Sequence, residues 1–371
     1  MRTSLSIYCL IVLLESAFSQ QNPDLKFILV PHPRSEDKVH QSVLPQIEKI
    51  NYSLYDMVLL GGDLCYYTSI NRTSMNYCDS LFNLDSPNTL WTMGNHDLNS
   101  PSLVAEYTKR PRFYSYYRDS ITFLVLDTEE NASGFSSSHI LGNQLQMIKN
   151  VSDTISNSDY LVVLHGRLLW MIGNEYFVTK IDSVAESTRQ LDTSNFYQEV
   201  YPLLQKVKSR GIKVICLGGD KSKINIEYFP EDSIGFYTST MAPEFEDSVN
   251  HVIVFDYFKS ENRMKREFIP LNKVEKNSIN IGIEIAQSIK PNTLIIKQLK
   301  GSGEIVFSLS GSDNESAIVQ IYSIDGRLNK SFTLSSLENK KFIPDCSGIY
   351  IVRAVFGNHV SSEKLYFSIE K

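Results

Sequence analysis

The sequence predicts an α/β domain followed by a small all-β sandwich. Two observations predict it. In the first part of the chain, short apolar runs such as Phe27-Ile28-Leu29-Val30 and Met57-Val58-Leu59-Leu60 alternate with segments of helical spacing. Beyond residue 291 the helical period is gone, and short alternating strands separated by turn residues take over. A chain of 371 residues is long enough for two such domains. Hydrophobic residues make up 42% and charged residues 21%, an ordinary globular composition. The net charge of -6 argues against nucleic acid or an anionic membrane surface as a partner.

The chain opens with Arg2, an apolar run from Ile7 to Leu14 that is too short to span a bilayer, and small residues at Ala17-Phe18-Ser19. This reads as a signal peptide over 1–19, with the mature chain starting near Gln20; a buried first strand is the alternative. No later stretch is long and apolar enough to cross a membrane. Cys9 leaves with the signal. Cys65 and Cys78 lie in one loop-like region and could pair in an oxidising compartment. Cys216 and Cys346 are expected to be free, and no cysteine spacing resembles a zinc site.

Taken in order, Phe27 to Val30 is a buried strand stopped by Pro31 and Pro33, with His32 between them and Arg34 just after. Val43, Leu44, Ile47 and Ile50 recur at helical spacing, and Met57 to Leu60 is the next buried strand, ending in Gly61-Gly62-Asp63. Strand, helix and strand suggest a βαβ unit, in which functional groups sit just beyond the C-terminal ends of strands. His32, Arg34 and Asp63 occupy such ends. Leu90 to Met93 leads into Gly94-Asn95-His96-Asp97, which sets an amide, an imidazole and a carboxylate side by side. Phe113 to Tyr116 and Ile121 to Leu126 read as a hairpin ending at Asp127. Leu141 to Val151 reads as a helix with Leu145 and Ile148 on one face, and Tyr160 to Leu164 as a buried strand ending in His165. Glu199 to Arg210 is helical. Lys213 to Leu217 is a strand running into Gly218-Gly219-Asp220-Lys221-Ser222. Strands near Gly235 to Thr240, His251 to Tyr257 and Arg266 to Ile269 complete a domain over 20–271.

The pattern loosens over 272–291, which marks a linker. In 292–371, Glu304 to Leu309, Ala317 to Ser323, Ser331 to Leu334, Gly348 to Val355 and Lys364 to Ile369 are short alternating strands.

The strand ends of the first domain resemble those of the calcineurin-like metallophosphoesterase superfamily, over roughly Leu25 to Leu271. Gly62-Asp63, Gly94-Asn95-His96-Asp97 and Leu161-Val162-Val163-Leu164-His165 match three family signatures in order and spacing. Phe123-Leu124-Val125-Leu126-Asp127, with Gln144-Leu145 following, resembles the stretch between the third and fourth. The resemblance implies a β-sandwich flanked by helices, hydrolysis of a phosphate ester, and divalent metal ions at the strand ends. Two signatures differ. Where the family has Asp-x-His this chain has His32-Pro33-Arg34, and where it has Gly-His-x-His this chain has Gly219-Asp220-Lys221-Ser222.

Carried over position by position, the first metal would face His32, Arg34, Asp63 and Ser222. Arginine has no free lone pair and keeps its charge, and its cation repels a neighbouring metal. Serine is a poor neutral ligand, so this metal is expected to be absent. The second would face Asp63, Asn95, His165 and Asp220, a set suited to a single Mn, Fe, Zn or Mg ion. His32 is either a surviving ligand or a solvated strand-end residue. In the family the histidine at His96 faces the phosphate and Asp97 orients it, which suits a general acid or charge stabiliser; the alternative is that the pair only holds the turn. Arg34 either grips a phosphate in place of the lost metal's charge or pairs with Asp63 or Asp220 and fills the site. The expected activity is metal-dependent hydrolysis of a phosphoester, on a phosphorylated small molecule or another phosphoester substrate. The alternative is a catalytically inactive relative acting as a surface or binding protein.

The second domain resembles the sorting domain of type IX secretion substrates. The segments that carry this are Val319-Gln320-Ile321-Tyr322-Ser323-Ile324-Asp325-Gly326-Arg327, Ser347-Gly348-Ile349-Tyr350-Ile351-Val352-Arg353 and Glu363-Lys364-Leu365. The resemblance implies an export address read by the type IX machinery, a secreted or cell-surface location reached through the periplasm, and removal of the domain at the surface. A generic β-sandwich or carbohydrate-binding module is the alternative.

Overall fold

The computed structural model describes residues 22–229, 234–276 and, between 293 and 367, the strands with parts of the turns that join them. The expected signal segment, most of the expected linker and Cys346 lie outside the described residues. The chain divides into two compact units, 1–48 with 52–274, and 49–51 with 275–371.

In the first unit the main strands are β1 (Leu25–Val30), β2 (Met57–Leu60), β3 (Thr89–Trp91), β4 (Tyr114–Arg118), β5 (Ile121–Val125), β6 (Tyr160–His165), β7 (Lys213–Gly218), β8 (Ile226–Tyr228), β9 (Gly235–Thr238), β10 (His251–Phe258) and β11 (Arg263–Pro270). The helices are α1 (Arg72–Phe82), α2 (Pro101–Thr108), α3 (Gly142–Thr154), α4 (Glu186–Arg189) and α5 (Tyr201–Lys208). One sheet has five strands in the order β11-β10-β1-β2-β3, with β1, β2 and β3 parallel and β10 and β11 added antiparallel. The other has six, in the order β8-β9-β7-β6-β5-β4, with β9, β7, β6 and β5 parallel.

The sheets share a core. Phe27 of β1 stacks on Phe255 of β10 at 4.8 Å and meets Phe123 of β5 edge-on at 5.8 Å. The other face of the second sheet is also covered: Leu161, Val163, Val214 and Cys216 pack in one cluster with Ile148 of α3 and Leu204 and Val207 of α5. Burial on both faces is why β5, β6 and β7 read as continuous apolar runs rather than alternating ones. One polar side chain of α3 is placed deliberately. Buried Gln144 donates to the Asp127 carbonyl at 3.0 Å and accepts from the Asp127 amide at 2.7 Å, fastening the end of β5.

Two local expectations change. The helix expected from Val43 to Ile50 does not form; the chain from β1 to β2 runs through turns and a short 3-10 segment. Pro45 is the reason, since it pushes Leu44 out of helical backbone and has no N–H. Leu44 instead donates to the Pro33 carbonyl at 2.7 Å and Val43 bridges Arg34, so the apolar residues are buried without a helix. Conversely, α1 and α2 form where no helix is expected. The Asn71 side chain caps α1 by accepting from Ser74, and Met75, Cys78 and Phe82 form its buried face; Pro101 at the first turn starts α2.

The parallel strands end on one edge of the sandwich, where the two sheets touch backbone to backbone. Gly61 follows β2 and Gly219 follows β7. A Cβ on Gly219 would lie 1.9 Å from the Gly61 carbonyl oxygen, and one on Gly61 would lie 2.4 Å from the Gly219 Cα. No side chain fits between them.

The second unit is all β: β12 (Thr293–Gln298), β13 (Ile305–Ser310), β14 (Ser316–Ser323), β15 (Leu328–Ser335), β16 (Lys340–Phe342), β17 (Gly348–Phe356) and β18 (His359–Phe367). They form sheets β12-β13-β16 and β15-β14-β17-β18. Ile305, Phe307 and Leu309 of the first share a core with Val319, Ile321, Tyr350 and Val352 of the second.

Gly219→Ala is therefore expected to force the strand ends apart and cost at least about 1–3 kcal/mol. The measurement is the thermal or urea midpoint of the variant; an unchanged midpoint would refute the close approach.

Candidate active site

The polar residues at these strand ends fall into two groups, those that hold the loops and those left free to act. Asp97 belongs to the first. Its carboxylate accepts from the amides of Asp63 at 2.7 Å, Gly94 at 2.9 Å and Leu64 at 3.0 Å, and from the Thr68 hydroxyl at 2.5 Å. It is fully buried, and burial together with the nearby charge of Asp63 pushes its carboxyl up to about 7. These bonds tie the turn after β3 to the loop after β2. They let Asp63 sit in left-handed backbone, with φ of 50°, after Gly62 at 103°. The Asp97 carboxylate, expected to orient His96, is spent on these bonds, and the His96 ring is held by the Tyr66 carbonyl, 2.6 Å from Nδ1.

A carbonyl only accepts, so Nδ1 of His96 carries the proton of that bond and Nε2 is the reactive nitrogen. Burial lowers the pKa of His96; the nearby charge of Asp63 opposes this and that of Arg34 adds to it. The ring is half-buried and packs edge-on against Tyr66, with centroids 5.0 Å apart.

Asp63 receives the His96 amide on Oδ1 at 2.9 Å and faces His32 Nε2 with Oδ2 at 3.4 Å. Burial alone would raise its carboxyl, but His32 and His96 outweigh it and hold it at about 2. His32, expected as a ligand or a solvated residue, is 1% exposed and paired with Asp63. Arg34 is also buried. Its partner is neither Asp63 nor Asp220: Nη2 donates to Glu36 at 3.0 Å, the guanidinium lies over the Tyr66 ring at 5.0 Å, and Nε has no hydrogen-bond partner among the described residues.

His165 ends β6. Its Nδ1 donates to the Arg167 carbonyl at 2.7 Å, which fixes the tautomer and leaves a lone pair on buried Nε2, unpartnered among the described residues. Burial lowers its pKa to about 4. Arg167 is held in turn by Glu129, through two bonds of 2.6 Å from Nε and Nη2, with both side chains buried. Burial raises the Glu129 carboxyl to about 7 against the pull of Arg167. The sequence reading missed this pair. Its signal was available: a Glu two residues beyond Asp127 and an Arg two residues beyond His165, on adjacent parallel strands.

Asp220, expected as a metal ligand, is engaged by protein. Its Oδ2 accepts from the hydroxyls of Ser187 at 2.7 Å and Thr188 at 2.5 Å in α4, and its Oδ1 from the Lys221 amide at 2.9 Å. Ser222 pairs with Val184 and Met241. Lys221 forms an ion pair with Glu244 at 2.8 Å. Asn95 is exposed.

A comparison with protein families matches residues 35–254 to the calcineurin-like phosphoesterases. The match covers more than half of the chain, and the chain belongs to that family, whose general chemistry is metal-dependent phosphoester hydrolysis. A search among curated proteins found no match. Among the described residues, no three His, Cys, Asp or Glu side chains gather into a metal-binding group. The donors that fit an ion are fewer: the Asp63 carboxylate, the exposed Asn95 amide oxygen and the free His165 Nε2. Carboxylate and amide oxygens with an imidazole are donor types that suit a borderline divalent ion.

Two outcomes are expected. Arg167→Ala strands Glu129 in the interior and should cost about 3–5 kcal/mol by denaturant unfolding. In the presence of a chelator, the His165 contribution to stability should rise with pH between about 4 and 6.5, against the opposite slopes that Asp97 and Glu129, both raised to about 7, give in that window. The unfolded state takes up the proton that buried His165 refuses, so the contribution is present above 6.5 and lost as pH falls towards 4. Its full size is about 3 kcal/mol, and it should show as the pH-dependent difference in unfolding free energy between the wild-type chain and His165→Gln.

Proposed function

We propose that this chain is an exported phosphoester hydrolase working with one divalent ion. The observation that carries the single-ion reading is the buried lone pair of His165, its ring turned by the Arg167 carbonyl so that Nε2 is left for a ligand. Asp63, Asn95 and His165 would hold the ion, which would lower the pKa of a water and polarise a phosphoryl oxygen. Arg34 supplies fixed positive charge for the phosphate where the family has a metal ligand. His96 serves the leaving group from Nε2. Its lowered pKa makes its protonated form a stronger acid but a scarcer one at neutral pH.

A second reading is favoured by Asp220, whose carboxylate is closed off by Ser187, Thr188 and Lys221. In that reading the site binds a phosphorylated ligand without cleaving it.

Metal analysis of the mature protein, with turnover assays on generic phosphomonoesters and diesters, separates the two. The first reading expects one ion per chain, lost in Asp63→Asn, and turnover reduced at least 100-fold in His96→Ala. It also expects a limb in the pH–rate profile on which turnover falls as pH rises through a pKa below 6.5, and which disappears in the same variant. No turnover, with thermal protection by inorganic phosphate that Arg34→Ala abolishes, would establish the second.

Export rests on the signal pattern at 1–19 and on the sorting-domain resemblance of 292–371. Deletion of 292–371 in a type IX-competent host should leave the protein in the periplasm. Surface display of the truncated protein would refute that route.

A further inference from the structure

Beside the site loop lies a sulfur pair that phosphoester chemistry does not use. Cys65 stands two residues after Asp63, and Cys78 lies on the buried face of α1. Both side chains are 0% exposed, both are free thiols, and their Sγ atoms are 3.5 Å apart. That is contact distance for two sulfurs, against about 2.05 Å in a disulfide. The Cys65 amide donates to Thr68 Oγ1 at 2.9 Å, and the same hydroxyl donates to Asp97 at 2.5 Å. The pair is thus wired into the bonds that fix the Asp63 loop.

We propose that Cys65 and Cys78 form an intramolecular disulfide when the chain folds under oxidising conditions, stapling the loop that carries Asp63 and Tyr66 to α1. The oxidant is a disulfide, either oxidised glutathione or a thiol–disulfide oxidoreductase. One thiolate attacks an oxidant sulfur, giving a mixed disulfide and releasing one oxidant thiol. The second cysteine then attacks the first, forming the Cys65–Cys78 bond and releasing the second thiol. Two S–H bonds are lost, two protons pass to solvent or to the leaving thiolates, and two electrons reduce the oxidant. Timing follows from burial. In the folded chain both sulfurs are 0% exposed, so an external disulfide does not reach them there and the step belongs to folding. The closed loop is short, and its closure restricts the unfolded chain.

The test uses the full chain produced in an oxidising compartment and, separately, in a reducing cytoplasm. Each preparation is denatured without reductant, alkylated and peptide-mapped. A linked Cys65–Cys78 peptide is expected only from the first. The oxidised protein should melt roughly 5–10 °C higher than the reduced one and lose that margin in strong reductant. A Cys65→Ala/Cys78→Ala double variant should melt at a temperature that reductant does not change. Alkylation of both cysteines in both preparations would overturn the proposal, and so would linkage of either to Cys216 or Cys346. A linked peptide with no difference in melting would overturn the stapling role. None of these readouts depends on metal content or turnover, so they are independent of the hydrolase reading.

Discussion

The Asp97 carboxylate is the interaction on which the rest of the site depends. Three backbone amides and one hydroxyl converge on it from two loops, those after β2 and β3. Without it those amides would be buried and unpaired, each at a cost of about 1–3 kcal/mol. With it, the two loops form one rigid surface. Asp63 is held in left-handed backbone with its carboxylate towards His32, and its Oδ1 receives the His96 amide. The residue that looked catalytic by its place in the turn is the scaffold, and the groups with free lone pairs or unpaired donors are its dependants.

Charge explains how the buried carboxylates at these strand ends are tolerated. Asp63 is paired with His32, Asp220 is satisfied by two hydroxyls and an amide, and Glu129 is matched by Arg167. Buried carboxylates survive only when neutralised or hydrogen-bonded. At these strand ends His165 Nε2, Arg34 Nε and His32 Nδ1 remain as buried polar atoms without a partner among the described residues. They are the atoms with something left to bind.

Much of the first unit was legible in the sequence because its strands are buried on both faces. Such strands appear as unbroken apolar runs, and the polar residues that end them lie at the functional edge. The crossover after β1 was misread because apolar spacing says which residues are buried, not what backbone carries them; Pro45 decided against a helix. The helix α1 was not anticipated because its capping Asn71 precedes a segment with few strong helix formers. In the site, Asp63, Asn95, His96, His165 and Asp220 were located by motif. Glu129, Arg167, Ser187 and Thr188 were not, because each acts through a partner distant in sequence.

The sequence by itself determined the order of strands along the chain and the residues at their ends, since these follow from local pattern and from the identity of single side chains. Only the tertiary structure decided what those residues do. Asp97 holds loops rather than His96, Arg34 lies against Tyr66 and Glu36, Asp220 is closed by α4, and Cys65 meets Cys78. The physical reason is that a hydrogen bond is a relation between two positions. A sequence names donors and acceptors, and packing chooses the pairs.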